Sequence, residues 1–195
     1  TKKVRFFRAP SHADFEALQL AEKTLLDKWD HFERLDLIPT ELFPDGNDMR
    51  PRNYGMPRWC DLFTPRQLLG HLTLMECLQT FKPQILEEFG PERGKAVITY
   101  LQFAIDKGLD YNSRQTRWEY TRGIVKGTFG RHDFSFKWTF GEMIFSGPSS
   151  GAAWGLNQIL DSFSGMAELM KNAPSGPTLA IVNGSGSDMS QLKDC

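Results

Sequence analysis

Between Arg114 and Arg131 the chain sets Arg114, Arg117, Arg122, Lys126 and Arg131 among Trp118, Tyr120 and Phe129. Guanidinium and ammonium groups meet phosphate oxygens and aromatic faces stack on bases, so this mixture suits a nucleic-acid surface. A solvated helix or loop whose aromatic rings pack inward has the same composition, and both readings stand on the residues alone. A second group, Arg50, Arg52 and Arg58 with Tyr54 and Trp59, suits phosphate contact and stacking in the same way, against the plainer reading of a solvated loop. Further on, Phe134, Phe136, Trp138 and Phe140 alternate with Ser135, Lys137 and Thr139, the period of a half-buried strand. A core-facing strand is the default there. The sharper alternative makes Trp138 the wall of a pocket for an unstacked base, with Glu142 accepting a hydrogen bond from an exocyclic amine.

No nucleophile with an adjacent base and no metal-ligand cluster emerges, so the sequence offers no catalytic residue and no metal site. Cys60, Cys77 and Cys195 are odd in number and lack Cys-x-x-Cys spacing, which argues against both a disulfide framework and zinc. Cys77 has apolar neighbours within a helix and reads as a core residue. His71, close to an apolar helix face, reads as a satisfied core or border histidine rather than a ligand.

The elements that must position these groups are mostly helices. Ser11 and Asp14 form a capping signature, and Phe15, Leu18, Ala21, Leu25, Trp29 and Phe32 recur every three or four residues, which predicts a helix over 12–33. Pro39, Pro44, Asp45-Gly46, Pro51 and Pro57 then punctuate a long irregular connection. The clearest helix start lies at Thr64, with Pro65 at the first position and Gln67 at the third to complete a capping box. Phe63 and Leu68 supply the hydrophobic staple, and Leu68, Leu69, Leu72 and Met75 face the core. A break is expected near Lys82-Pro83, where proline clashes with the preceding turn. Gly90-Pro91 opens the next helix, carried by Val97, Tyr100, Leu101, Ala104 and Ile105 and ended by Gly108.

After a Gly/Pro/Ser loop over 146–151, Leu156, Ile159, Leu160, Phe163, Ala167 and Met170 mark a last helix, ended by 172–177. Residues 178–182 read as a buried strand followed by the turn Gly184-Ser185-Gly186-Ser187-Asp188. Thr1 to Arg8, with four basic residues around Val4, Phe6 and Phe7, reads as an edge segment more readily than as a nucleic-acid arm.

The 195 residues suffice for one domain, and a hydrophobic share of 40% with 24% charged residues is ordinary for a globular chain. The formal net charge of −1 gives no global case for a polyanion partner, so any such case rests on local patches. No apolar run approaches the roughly 20 residues that span a bilayer, and the N-terminus lacks a secretory pattern, so no membrane partner and a cytoplasmic location are expected.

Asn53-Tyr54-Gly55, Arg58-Trp59 and the run Asp61-Leu62-Phe63-Thr64-Pro65-Arg66-Gln67-Leu68-Leu69 carry a resemblance. It continues through Thr99-Tyr100-Leu101, Asp110-Tyr111-Asn112-Ser113, Thr128-Phe129-Gly130-Arg131 and Trp138-Thr139-Phe140-Gly141-Glu142, and so covers most of the chain after about residue 10. In wording and order these segments resemble the central region of a family of large adenine-specific DNA methylases often associated with phage-defence loci. The resemblance implies S-adenosylmethionine as cofactor of the parent enzyme, DNA as its partner, and a middle segment that contacts the rest of the methyltransferase. The family's cofactor glycines lie upstream and its Asp/Asn-Pro-Pro-aromatic tetrapeptide downstream. Neither motif occurs in this chain, so no cofactor and no catalytic residue are carried over.

The expectation is a mainly α (α+β) domain of four to five helices with a small β element, an insertion or middle segment of a Rossmann-like methyltransferase. Residues 1–176 form the helical target-recognition region, and 177–195 form a strand and turn leading toward the catalytic portion. The start at Thr1 and the end at Asp194-Cys195 after an apparent strand suggest a piece of a longer protein. The alternative function is a helical protein-interaction domain without enzymatic activity, using an apolar patch around Trp118 or Trp154.

Overall fold

In the computed structural model the described residues are 7–44, 50–130, 136–147 and 151–171. They hold five α-helices and one two-stranded sheet: α1 (His12–Arg34), α2 (Arg50–Asn53), α3 (Pro65–Phe89), α4 (Pro91–Tyr111), β1 (Arg117–Glu119), β2 (Ile124–Lys126) and α5 (Gly151–Met170). Short 3-10 turns lie at Trp59–Leu62 and Thr128–Gly130. The fold is mainly helical with a small β element. None of the described helices is long and apolar enough to cross a membrane.

Both written helix starts form as their residues dictate. The Thr64 hydroxyl accepts from the Gln67 amide at 3.2 Å, and the Gln67 side-chain oxygen accepts from the Thr64 amide at 2.9 Å. At α1 the Asp14 carboxylate accepts from the Ser11 amide and hydroxyl, each at 2.7 Å, and is clamped by Arg8 at 2.5 Å. The Arg8 and Ser11 hydrogen bonds hold Asp14 far below the usual carboxylate range. Leu25 and Phe32 of α1 meet Leu68 and Leu72 of α3, with Ile38 and Cys60 from the connection, in one buried cluster. Phe63 and Leu69 pack against its margin. At the edge of the same contact Glu76 accepts from His31 at 2.5 Å and from Lys28 at 3.5 Å, tying α3 to α1.

Several expectations are corrected. The helix at Thr64 does not break at Lys82-Pro83 but runs on to Phe89. Pro83 is exposed, so water can reach the turn where its missing amide interrupts the ladder. Gly108 does not end α4. It lies buried inside the helix, which continues to Tyr111 with Asn112 as its cap, and a single interior glycine costs only about 1 kcal/mol. The reversal between α3 and α4 takes place at Gly90 alone, whose φ of 75° is one that side chains rarely adopt.

Phe15 and Leu18, placed on the core face of α1, are 53% and 41% exposed; only the C-terminal half of that helix is packed. Cys77 is exposed rather than core, whereas Cys60 is buried. The alternating stretch forms no strand over its described residues, 136–140. The connection after α1 is more ordered than its prolines suggest: it contains α2 and an antiparallel bridge between Leu42 and Arg58.

The chain divides into two units, Thr1–Leu160 and Asp161–Cys195. In the second, the described residues 161–171 complete α5 and end its last turn, all of them exposed. The expected domain boundary near 176, the strand at 178–182, the turn at 184–188, residues 1–6, Arg131 and Phe134 lie outside the described residues.

Candidate nucleic-acid interface

A buried polar junction positions the candidate surfaces. Asn112, Ser113 and Thr116, at the end of α4, are at most 2% exposed. The Asn112 carbonyl accepts from His71 Nε2 at 2.9 Å, and its side-chain oxygen accepts from the Met143 amide at 2.7 Å. The Thr116 hydroxyl accepts from the Gly141 amide at 3.1 Å, and Ser113 Oγ lies 2.7 Å from Thr128 Oγ1. Asp110 takes the Thr128 hydroxyl on its carbonyl at 2.8 Å and the Phe129 amide on its carboxylate at 3.0 Å. These bonds hold 128–130 and 141–143 against the end of α4, and the hairpin runs in sequence from the junction residues 112–116 to the fixed segment 128–130. His71 sits between the rings of Phe63 and Phe145, 5.2 and 4.9 Å away. Burial lowers its pKa, and the Asn112 carbonyl only partly opposes the shift. The imidazole is a core residue whose neutral form burial favours.

Within the basic stretch, 117–126 folds as an antiparallel hairpin in which Arg117 faces Lys126, Trp118 faces Val125 and Glu119 faces Ile124. Over those residues it is neither a solvated helix nor a bare loop. Two like charges directly opposite each other would weaken the pair. Glu119, on the same face, bonds Lys126 at 2.6 Å and accepts from the Thr121 hydroxyl at 2.6 Å, which offsets that repulsion. The Lys126 hydrogen bond, followed by Thr121, pulls the Glu119 carboxyl down to about 2.

A depressed acid stabilises the fold fully above its unfolded pKa, near 4.5, and the contribution is lost as pH falls through about 2. The unfolding midpoints of the native chain and Glu119→Gln should therefore differ most at neutral pH and converge between about pH 4.5 and 2. A gap that stays constant in urea titrations across that range would contradict the pairing.

On the opposite face Trp118 is 46% exposed and meets Phe7 edge-on at 5.9 Å. Val125 packs so tightly on Gly141 that a Cβ there would lie 2.9 Å from its methyl group. Tyr120 and Arg122 project from the connecting turn, and Tyr120 is 83% exposed. Arg114 is placed differently: its amide donates to the Leu62 carbonyl at 2.7 Å and its guanidinium to the Asp61 carbonyl at 3.4 Å. It ties the hairpin's root to the 3-10 turn before α3.

Arg50 and Arg52 lie on α2, anchored by the fully buried Pro51, while Arg58 is exposed at the bridge to Leu42. Tyr54 follows α2 directly. Its ring stacks on Phe136 at 4.1 Å with an interplanar angle of 21°. Trp138 stands edge-on to Phe136 at 4.9 Å and is 83% exposed. Sequence spacing could not reveal this meeting, because some 80 residues separate Tyr54 from Phe136.

Trp138 and Glu142 are not brought together as one pocket. Glu142 accepts from Arg66 Nε at 2.9 Å, from Arg66 Nη2, and from the Thr64 hydroxyl at 3.2 Å. It lines a cavity of about 390 Å³ with Arg66, Leu69, Gly70 and 143–145, a set that omits Trp138. Its carboxylate fastens the 141–145 segment to the start of α3.

Among the described residues no group of three or more His, Cys, Asp or Glu is arranged to hold a metal ion. Comparisons of the chain with protein-family models, with curated proteins and with solved structures find no match.

Proposed function

We propose that this chain is a DNA-contacting helical segment of an S-adenosylmethionine-dependent adenine methyltransferase, serving recognition or scaffolding rather than the chemical step. The observation that carries the reading is the hairpin, which holds Arg117 on one face, the half-exposed Trp118 ring on the other, and Tyr120 and Arg122 at its turn. Cations for phosphate and aromatic faces for bases share one element, fixed at its base by the polar junction. Arg50, Arg52 and Arg58 supply a second cationic stretch. The methylase context comes from the resemblance, whose segments 61–69, 110–113, 128–130 and 141–142 meet in or beside the same junction.

The described residues do not fit S-adenosylmethionine, since none forms a glycine-rich turn at the end of a buried strand. In this reading the cofactor and the methyl transfer belong to other parts of the enzyme.

Arg117 and Arg122 are the informative pair, because reversing Lys126 would also break its bond to Glu119. The double variant Arg117→Glu/Arg122→Glu is expected to abolish duplex binding, and the double alanine variant to lower the slope of log affinity against log salt by about 2. Fluorescence anisotropy with labelled duplex checks both, with circular dichroism verifying the fold. Unchanged binding by folded variants would remove the hairpin from the interface.

One observation favours a protein partner instead. An apolar groove of about 370 Å³ between α3, α4 and the start of α5 is lined by Leu74, Phe81, Ile85, Leu101 and Ile105. That reading predicts no DNA binding at all. Trp154, its other proposed contact, is half-buried against Tyr111 at 5.2 Å, with Lys107 5.3 Å from its ring.

A further inference from the structure

We infer that the tip of the 117–126 hairpin enters the major groove of B-form DNA, so that the chain takes a DNA duplex and rejects an RNA duplex of the same sequence. The inference rests on the DNA-contacting reading above and specifies which groove, and so which duplex, the hairpin fits. Both faces of the ribbon already carry contacts. Trp118 meets Phe7 edge-on at 5.9 Å and Val125 lies against Gly141, while on the other face Glu119 pairs with Lys126 at 2.6 Å. The turn is left bare: Tyr120 is 83% exposed, and Thr121 and Arg122 are exposed beside it.

That turn is also fixed. The Gly123 amide donates to the Glu119 carbonyl at 2.7 Å, with a φ of 59° that side chains rarely adopt, and the Thr121 hydroxyl donates to the Glu119 carboxylate at 2.6 Å. A tip closed by two such bonds meets its partner without first having to order itself. The side chains of Arg117 and Arg122 have no hydrogen bond or ion pair among the described residues. Glu119, the one acidic residue within 117–126, is taken up by Lys126, and Asp110, the acid that precedes the hairpin, is held by the Phe129 amide at 3.0 Å.

Dimensions select the groove. Two strands lie about 4.8 Å apart, and with side chains on both faces the ribbon is about 10 Å across, so it fits a major groove about 12 Å wide and not a minor groove about 6 Å wide. From Arg117 to Tyr120 the strand advances about 10 Å, comparable with the groove's depth of about 8.5 Å. At that depth the Tyr120 phenol reaches the donors and acceptors of the base edges, while Arg117 and Arg122 stay within reach of the phosphate rows on either side. The major groove of an A-form RNA duplex is too narrow and deep for side chains to read, so the same tip finds no entry there.

The test uses the 195-residue chain in anisotropy titrations against a labelled DNA duplex and the RNA duplex of the same sequence. RNA is expected to bind about tenfold more weakly or worse, and a DNA duplex whose cytosines carry glucosylated hydroxymethyl groups at C5, which crowd the major groove, should lose binding to a similar degree. Netropsin bound in the minor groove should leave the affinity unchanged. Tyr120→Ala is expected to weaken DNA binding about fivefold, the low end of the range for a base-edge contact, without changing the salt slope, because it removes no cation. Equal affinity for the DNA and RNA duplexes, or displacement by netropsin but not by the C5 groups, would overturn the groove assignment. If the hairpin reversal still abolished binding in that case, the DNA-contacting reading would survive. Failure of the native chain to bind either duplex would overturn both.

Discussion

Replacing Phe32 with alanine is expected to cost about 3–5 kcal/mol, a large share of the roughly 5–15 kcal/mol that holds a domain folded. Phe32 has no exposed surface and joins Leu25, Ile38, Cys60, Leu68 and Leu72 in the cluster that fastens α1 to α3. The lost ring leaves a cavity that two long helices and a hydrogen-bonded connection cannot easily close, so both the transfer and the cavity costs apply. Phe15, 53% exposed on the same helix, is the control, and its alanine variant should stay within about 0.5 kcal/mol of the native chain. Urea titrations followed by circular dichroism check both. A Phe32→Ala loss below about 1 kcal/mol would mean that the cluster is not the principal core.

Gly151→Ala is expected to be the most damaging substitution among the glycines of the described residues. The φ of 64° already disfavours a side chain, and an added Cβ would lie 1.9 Å from the Phe145 carbonyl oxygen and 2.5 Å from that of Ile144. Those atoms are backbone, and the Phe145 carbonyl also accepts the Ala152 amide at 3.1 Å, so neither side can yield cheaply. The strained backbone and the overpacking together should cost on the order of 2–5 kcal/mol. Gly165→Ala, in the same helix with open space around its Cβ position, should instead leave stability unchanged or raise it by about 0.4–1 kcal/mol. Equal thermal midpoints for the two variants would contradict the close approach at the start of α5.

The contrast between those glycines shows which parts of the fold the sequence carried openly. Capping is local, so Thr64 with Gln67 and Ser11 with Asp14 could be read from spacing alone. Helix interiors were less legible. Pro83 and Gly108 carry the residue types that end helices, yet tertiary packing can carry a helix across costs of about 3 kcal/mol for the proline and about 1 kcal/mol for the glycine.

The alternation at 134–140 has the period of a strand, but a strand also needs a partner edge. Its described residues are held by no ladder and reach the rest of the protein through aromatic contacts and the junction bonds that follow at 141–143. Cys77 shows a related limit, since apolar neighbours along α3 do not reveal which side of the helix lies against α1 or α4. The basic residues of the candidate surfaces were visible by composition. Their division was not: Arg114 is committed to a carbonyl and Lys126 to Glu119, while the meeting of Tyr54 with Phe136 and Trp138 depends on the tertiary fold.

Binding of a short labelled DNA duplex to the native chain, measured by anisotropy between about 50 and 200 mM salt, tests the DNA-contacting role most directly. The account predicts saturable binding whose log affinity falls linearly with log salt, by about 0.9 for each phosphate neutralised. Absence of binding at about 50 mM salt, or an affinity indifferent to salt, would contradict it and favour a protein partner for the groove between α3 and α4.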